Sequence, residues 1–599
     1  MLRRHALRHI RTLSTSATQA SPRAATRITR THAQGTARRI YAFAFGVGGV
    51  TLGLVGYKLL PRTGTTEPAQ DSILDFSPNG LISYDEIRKH NSRESCWVVV
   101  DGEVYDVTRF LNDHPGGIAP ILKAAGSDAT RVFAPIHPPD TLGELPPEII
   151  HLGSVDPATM PAFATQLTEE ELRIERARAV LPHPDAAINL ADIEKLAKTV
   201  LSQTAWAYYR SAGDDEFSYR ENAYAFRRYW FRPRIMNKVS AINTSTTILG
   251  IPTSLPIFVS PAALARLGHP QGEVGITRGV APEGVIQGIS INASCSLQEI
   301  TDARSTNFSP SSSTSSRSSP SQTHSSSNAP HTHTDLTLQQ DDKTQPLIFQ
   351  IYLNKQRDLS ESLLKKVESM GFRALMVTVD AAVAGNRELD KRAKQPSDSP
   401  SFNGPAQYGA NPSNGTKSQG VAQAISGYQD PDVCWADIEW IRGITKLPLV
   451  IKGIQCVEDA ERAYEHGVQG IVLSNHGGRE LDFSPPPIDV LHELRQKRPD
   501  IFQDGRMEVF IDGGVRRGTD VLKALCLGAK AVGLGRPFLY ANAAWGEEGV
   551  RRTVQIMREE IETGMRLLGV TRIEDLKPEH VKYMAREPAP VPPSSESGL

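Results

Sequence analysis

Three groups of residues in this sequence have types and spacings that could do chemistry. The first is the run Leu473-Ser474-Asn475-His476-Gly477-Gly478-Arg479-Glu480-Leu481-Asp482. It sets an imidazole, able to take a proton near neutral pH, close to a guanidinium, able to clamp a carboxylate through two parallel hydrogen bonds. Asp380, in Thr378-Val379-Asp380, could orient that imidazole and stabilise its protonated form. The second group is Asp512-Gly513-Gly514-Val515-Arg516-Arg517-Gly518 with Gly533-Leu534-Gly535-Arg536-Pro537. A glycine pair alone is a turn, but two such segments offer backbone amides and cations for a phosphate. The third is Asp113-His114-Pro115-Gly116-Gly117, with His137 following 23 positions after His114 in Ile136-His137-Pro138-Pro139. Two neutral imidazoles could fill both axial positions of a haem iron, the glycines admitting the porphyrin and Pro115 stiffening the turn. With both positions filled dioxygen has no place to bind, and one-electron transfer is the expected task. Taken singly, either histidine reads as an ordinary loop residue.

These groups need a scaffold that gathers them. Eight short apolar runs are spaced along the C-terminal two thirds: Pro256–Ala263, Val285–Ser290, Leu347–Leu353, Ala374–Asp380, Leu447–Gly453, Gly470–Asn475, Met507–Gly514 and Ala531–Gly535. Apolar throughout and separated by amphipathic helical patterns, they read as parallel strands buried on both faces. Eight in series close most economically into an α/β (β/α)₈ barrel, which keeps catalytic groups at C-terminal strand ends and phosphates after strands seven and eight. A doubly wound open sheet is the alternative, but no early G-x-G-x-x-G turn supports it. The histidine pair follows an alternating strand pair, Cys96–Val100 and Glu103–Val107, in a small α+β domain.

Length and composition bound the rest. A chain of 599 residues with 39% hydrophobic content should hold two or three domains. A net charge of −1 gives no global electrostatic case for nucleic acid. Five scattered cysteines, with no Cys-x-x-Cys pair, argue against a disulfide framework, a zinc site or covalent haem attachment. Residues 1–39 carry nine arginines, and the first carboxylate is Glu67, which predicts a mitochondrial presequence, a disordered basic tail being the alternative. Residues 40–60 form a hydrophobic sorting or transmembrane segment: the uncharged stretch Ile40–Tyr57 would rise about 27 Å as a helix. Together they point to the mitochondrial intermembrane space, with inner-membrane anchoring if the segment is kept. A linker (61–79), the haem domain (80–155), a polar hinge (156–190), the barrel domain (191–580) and a tail (581–599) follow. Two inserts, 303–345 and 389–428, are too polar to pack and are expected to be mobile. The first precedes strand three and should leave the non-catalytic face; the second follows strand four and could act as a lid. His324, His331 and His333 in the first read as solvated low complexity before a metal site.

The HPGG turn, with Trp97-Val98-Val99 and Val104-Tyr105-Asp106-Val107-Thr108-Arg109-Phe110, resembles cytochrome b5. The barrel resembles the FMN-dependent L-2-hydroxy-acid oxidase and dehydrogenase family. Together, over roughly 82–580 apart from the inserts, they resemble the flavocytochrome b2 family. That resemblance implies FMN and haem b, oxidation of L-lactate or a related L-2-hydroxy acid, electrons passed to the haem and then to cytochrome c, and a homotetramer. It implies His476 as the base, Asp380 as its partner, Tyr208 and Arg479 on the substrate carboxylate, Tyr352 on the reacting oxygen and Arg387 as further positive charge. FMN would be held by Pro261, Ala262, Ala263, Ser290, Gln350, Thr378, Lys452, Ser474, Asp512, Gly513, Gly514, Val515, Arg516, Gly535 and Arg536, with Lys452 stabilising the anionic reduced ring. His114 and His137 would ligate the haem iron. Three departures stand out. The family's Asp-Ala-Pro-x-Leu-Gly-x-Arg is Asp380-Ala381-Ala382-Val383-Ala384-Gly385-Asn386-Arg387 here, which should loosen the loop presenting Arg387. Asn292 replaces a bulky apolar residue over the substrate side chain, so the enzyme should take lactate moderately and accept longer or polar 2-hydroxy acids, unless Asn292 turns away to bond neighbouring backbone. The Ser-rich insert has no family counterpart. Two other readings remain: an oxidase handing electrons to dioxygen, and a non-catalytic haem carrier on a degenerate barrel.

Overall fold

The computed structural model describes residues 80–114, 118–143, 145–161, 167–306, 308, 343–393 and 421–585. The leader, the segment 40–57 and the low-complexity histidines lie outside them. Among the described residues no helix is long and apolar enough to cross a membrane.

Strand alternation builds the haem domain. Trp97–Val100 and Glu103–Asp106 pair antiparallel in a four-stranded sheet completed by Ser127–Asp128 and Ile150–Ser154. Because successive side chains point to opposite faces, Trp97 and Val99 join a cluster with Ile82, Tyr84 and Ile87. Val98 and Val100 join a second with Tyr105, Leu111 and Ala129, against which Phe133 and Leu122 pack half-buried.

All eight predicted runs are barrel strands: β1 Ile257–Val259, β2 Ile286–Ser290, β3 Leu347–Ile351, β4 Ala374–Thr378, β5 Leu449–Ile454, β6 Gly470–Leu473, β7 Glu508–Asp512 and β8 Ala531–Leu534. They are parallel and close in chain order, β8 pairing with β1. Each strand sends a side chain inward (Phe258, Ile286, Ile348, Met376, Val450, Val472, Phe510, Ala531), so the interior is a packed core. A hairpin, Thr246–Ile248 with Ile251–Thr253, plugs the N-terminal end, its Leu249 N–H donating to Glu508 at 2.7 Å. The register between β5 and β6 shifts at Lys452/Ile454, where Gly453 has φ +109°. A Cβ at Gly453 would lie 2.5 Å from the Cβ of Asp380, so this bulge makes room for Asp380 beside Lys452.

Three expectations about segments change. Of the hinge, Glu169–Ala179 is a helix strapped to the barrel domain: Arg173 donates to the carbonyls of Thr199 and Leu201, and Arg178 to that of Gly268. The tail begins as a strand, since Val581–Tyr583 pairs with Tyr229–Phe231 and buries Val581. Both inserts are ordered at their ends. Gln345 N–H donates to Ser305 and Phe308 N–H to Lys343, each at 2.9 Å, which ties the first insert's ends together. In the second, Glu388–Ala393 and Val421–Ala424 are helical, and the buried Asp390 carboxylate accepts from Ala422 N–H at 3.0 Å. Polar composition concealed these contacts because buried side chains here satisfy backbone donors. Residues 309–342 and 394–420 lie outside the described residues.

Candidate active site and haem centre

At the C-terminal end of the barrel the strand ends converge on one cavity of about 370 Å³. The turn after β6 is its sharpest feature. His476, Gly477 and Gly478 have φ values of +57°, +66° and +75°. A histidine in the left-handed region is strained. Here it is held by its own N–H donating to Ser474 Oγ at 3.0 Å and by Gly478 N–H donating to the Asn475 carbonyl. A Cβ at Gly478 would lie 2.5 Å from Tyr219 N, so glycine is required there.

The imidazole is oriented from behind. His476 Nδ1 lies 2.8 Å from Asp380 Oδ1, whose side chain is fully buried. Nδ1–H donating to the carboxylate leaves Nε2 as the acceptor. Lys452 Nζ lies 3.5 Å from Asp380, 3.7 Å from Asp512 and 3.1 Å from Ser474 Oγ. Burial alone would raise the Asp380 carboxyl, but the Lys452 ammonium and the His476 ring bring it down to about 2. Asp380 is therefore an anion throughout the working pH range.

Arg479 lines the same cavity and has no carboxylate partner among the described residues. Its guanidinium donates to the carbonyls of Tyr208 and Tyr209 at 2.9 and 3.1 Å and sits 5.1 Å from the Tyr208 ring centre. Burial, with Arg387 and Arg536 nearby, pulls it well below the ordinary arginine value. A desolvated cation among cations favours an incoming anion. Arg387 lines the cavity as well, and its guanidinium is paired with buried Glu480, which offsets part of the charge it brings there. Its loop is not loose: Gly385 N–H donates to Glu480 at 2.6 Å, Arg387 Nε to the Arg479 carbonyl at 3.1 Å, and Asn386 to Asp214 at 2.7 Å. These bonds do the work expected of the missing proline and leucine. Tyr352 also lines the cavity, and burial holds its hydroxyl far above the usual tyrosine range.

Of the sequence-selected residues, Asp380 and Ser474 stand behind the wall and all the other barrel residues line the cavity. Two of those carry buried polar atoms without partners among the described residues, Gln350 Nε2 and Thr378 Oγ1. Gln350 Oε1 accepts from Ser290 Oγ at 3.1 Å. Gly513 and Gly514 have φ +92° and +79°, and a Cβ at Gly514 would collide with the Asn222 carbonyl. Arg536 is anchored to the carbonyls of Tyr209, Gly477 and Ser211, whereas Arg516 is paired with Glu194. Sequence reasoning missed Glu194, Tyr219, Asn222, Ile425 and Gln429, all of which line the cavity. They sit on helices, in the C-terminal end of the second insert or just past it, where no strand-end signal marks them. Asn292 lines it as well, and its side-chain Oδ1 accepts from Tyr428 Oη at 3.0 Å instead of bonding loop backbone.

In the haem domain, the rings of His114 and His137 face each other with centres 6.1 Å apart. With imidazole–metal bonds of about 2 Å each, two rings sharing one metal put their centres about 6 Å apart. His137 Nδ1 lies 3.2 Å from the Phe133 carbonyl, to which it donates, so Nε2 is free to ligate. Phe133 stacks on His137 at 4.2 Å and Phe110 meets His114 edge-on. Burial holds His137 below the ordinary histidine range and keeps it neutral, as a ligand must be.

Comparison with known proteins agrees with both centres. The family model for FMN-dependent dehydrogenases matches residues 197–319 and 313–583. The chain belongs to the FMN-dependent dehydrogenase family. The model for the cytochrome b5-like heme/steroid binding domain matches 83–164, giving the domain set of flavocytochrome b2. An L-lactate dehydrogenase (cytochrome) of Wickerhamomyces anomalus is 42% identical over 494 residues, 82% of this chain and 78% of that one. One of Saccharomyces cerevisiae is 43% identical over 517 residues, 83% and 79%. The crystallised flavin-binding domain of baker's yeast flavocytochrome b2 matches at 40% identity and TM-score 0.58, covering 72% of this chain and 96% of that one. The orphaned Gln350 and Thr378 atoms and the bare glycines after β7 fit a flavin with its phosphate, and the facing imidazoles fit a haem.

Proposed function

We propose that the protein oxidises L-lactate or a related small L-2-hydroxy acid to the 2-keto acid on FMN and passes the electrons to its own haem and then to cytochrome c. The reading rests on one arrangement above all: His476, backed by Asp380, and the cation Arg479, held by backbone carbonyls and by no carboxylate among the described residues, meet at a single cavity, in a chain that also carries a close pair of imidazoles. The names of the relatives at 42% and 43% identity support the same substrate and the cytochrome route.

Arg479 binds the substrate carboxylate and fixes the 2-hydroxyl end toward His476. Tyr352, kept protonated by burial, donates to the reacting oxygen. His476 Nε2 receives a proton, from the hydroxyl or from the α-carbon according to which bond breaks first, and Asp380 stabilises the imidazolium that results. FMN, when bound, takes up the electron pair, and the haem passes electrons on singly. His114 and His137, which would together hold one haem iron, favour this relay over a dioxygen-consuming oxidase, and the intact His476, Asp380 and Arg479 over a non-catalytic haem carrier. The arginine-rich, acid-free leader and the apolar segment after it support the mitochondrial intermembrane space, with anchoring to the inner membrane if that segment is kept. A homotetramer is part of the same reading, after the family.

The test is a spectrum of the purified protein before and after anaerobic L-lactate. Flavin bleaching followed by sharp reduced b-type haem bands supports the scheme. Bleaching without haem reduction, followed by hydrogen peroxide release once air is admitted, would identify an oxidase.

A further inference from the structure

One side of the cavity gathers three guanidiniums through shared backbone. Arg479 and Arg536 both donate to the Tyr209 carbonyl, at 3.1 and 2.8 Å, and Arg387 Nε donates to the carbonyl of Arg479 itself at 3.1 Å. All three side chains line the cavity. Among the described residues a single carboxylate forms an ion pair with any of them, that of Glu480 with Arg387.

Glu480 also lines the cavity, yet both of its carboxylate oxygens are already held. One meets the Arg387 guanidinium and the other accepts from Gly385 N–H at 2.6 Å. A neutral amide would serve that N–H equally well, so the charge exceeds what tying down the loop requires. The charge is felt at the substrate end. Burial pulls Arg479 down most, Arg387 and Arg536 add to the fall, and Tyr208 and Glu480 act the other way. A carboxylate that steadies a cation also repels an anion bound to that cation, and the repulsion grows with the anion's charge. A like charge set against the unwanted ligand is one of the two routes to discrimination.

We infer that Glu480 sets the anion charge this site accepts: by removing one unit of positive charge from the cavity it favours singly charged 2-hydroxy acids over dicarboxylic ones, an assignment that rests on the hydroxy-acid reading above and narrows its substrate class. Glu480 acts through the field at the site and not by contact with substrate.

Pyruvate and oxalate are the probes, being near-isosteric and differing by one unit of charge. Their dissociation constants are read from the absorbance change of bound FMN in the holoenzyme, with FMN in excess, so turnover is not involved. At an effective dielectric constant of about 20, a unit charge about 10 Å away changes the affinity of a monoanion about 15-fold and that of a dianion about 200-fold. Glu480→Gln and Glu480→Ser remove the charge in two sizes, and either suffices: the affinity ratio of oxalate to pyruvate should move about 15-fold toward oxalate. Glu480→Asp keeps the charge and should leave the ratio near wild type, whereas a purely structural defect shifts both acids together in all three variants. A ratio that stays within a few-fold of wild type in the neutral variants, or that Glu480→Asp moves as far as they do, overturns the assignment. If both acids bind and the ratio does not move, only the role of Glu480 falls. If neither acid perturbs the flavin of the wild-type enzyme, the hydroxy-acid reading falls and the role of Glu480 with it.

Discussion

Replacing Asp380 by Asn tests the centre of the site with the least change of shape. The carboxylate it removes is fully buried and 2.8 Å from His476 Nδ1. At an effective dielectric constant of about 20, unit charges about 4 Å apart interact by about 4 kcal/mol. The reaction needs that imidazolium to form, and roughly half to all of the loss should appear in the barrier, about 30- to 1,000-fold. The asparagine amide can also donate to Nδ1, placing the proton on Nε2 and blocking it as a base. The expected fall in the rate of flavin reduction is therefore 10²–10⁴-fold, with substrate affinity changed little because Arg479 is untouched. Stopped-flow bleaching at saturating L-2-hydroxy acid measures it, with bound FMN quantified by absorbance. A rate within about 5-fold of wild type at full FMN content would refute the pairing as described. Acid titration reads the same residue independently. Its carboxyl lies at about 2 in the folded chain against an ordinary 3.8, so its contribution of about 2 kcal/mol is complete above pH 5 and lost as pH falls toward 2. The variant should lack that part of the wild-type acid transition.

Three other outcomes are expected. His114→Ala or His137→Ala should abolish haem-dependent cytochrome c reduction while leaving bleaching of FMN by substrate and reduction of small artificial acceptors near wild type; equal loss of both would sink the two-centre scheme. Thr378→Val should weaken FMN binding about 5- to 10-fold by fluorescence titration, the value of one hydrogen bond, while the FMN-free protein melts no lower, since only an unsatisfied atom is removed. Deleting 309–342 should leave FMN content and turnover near wild type, because the flanking residues are already tied to each other; an empty flavin site would show that the insert reaches the catalytic face.

Strand-level architecture was legible because barrel strands are short, apolar on both faces and punctuated by glycine at their C-terminal ends. The same logic located His476, Lys452 and Asp512. What escaped were groups whose role depends on pairing. Nothing about Arg387 in sequence says that Glu480 neutralises it, nor that Glu194, on a helix over 300 residues away, meets Arg516. Gln429 was hidden for a different reason: it sits at the edge of a stretch so polar that its ordering, through backbone bonds to Leu353 and Lys355, left no apolar trace.

The paired ends of the first insert have a use of their own. Gln345 is fully buried, its Nε2 donating to the Thr277 carbonyl at 3.0 Å and its Oε1 accepting from Ser305 N–H at 3.3 Å. Whatever is spliced between 308 and 343 starts and finishes at one clamped point, so the barrel bears almost none of its length. Each doubling of a flexible loop costs only about 0.6 kcal/mol in closure entropy. The position is thus a natural socket for a guest: a folded domain, an affinity tag or an electrode tether grafted there would ride on the enzyme at the end of the barrel opposite its catalytic mouth.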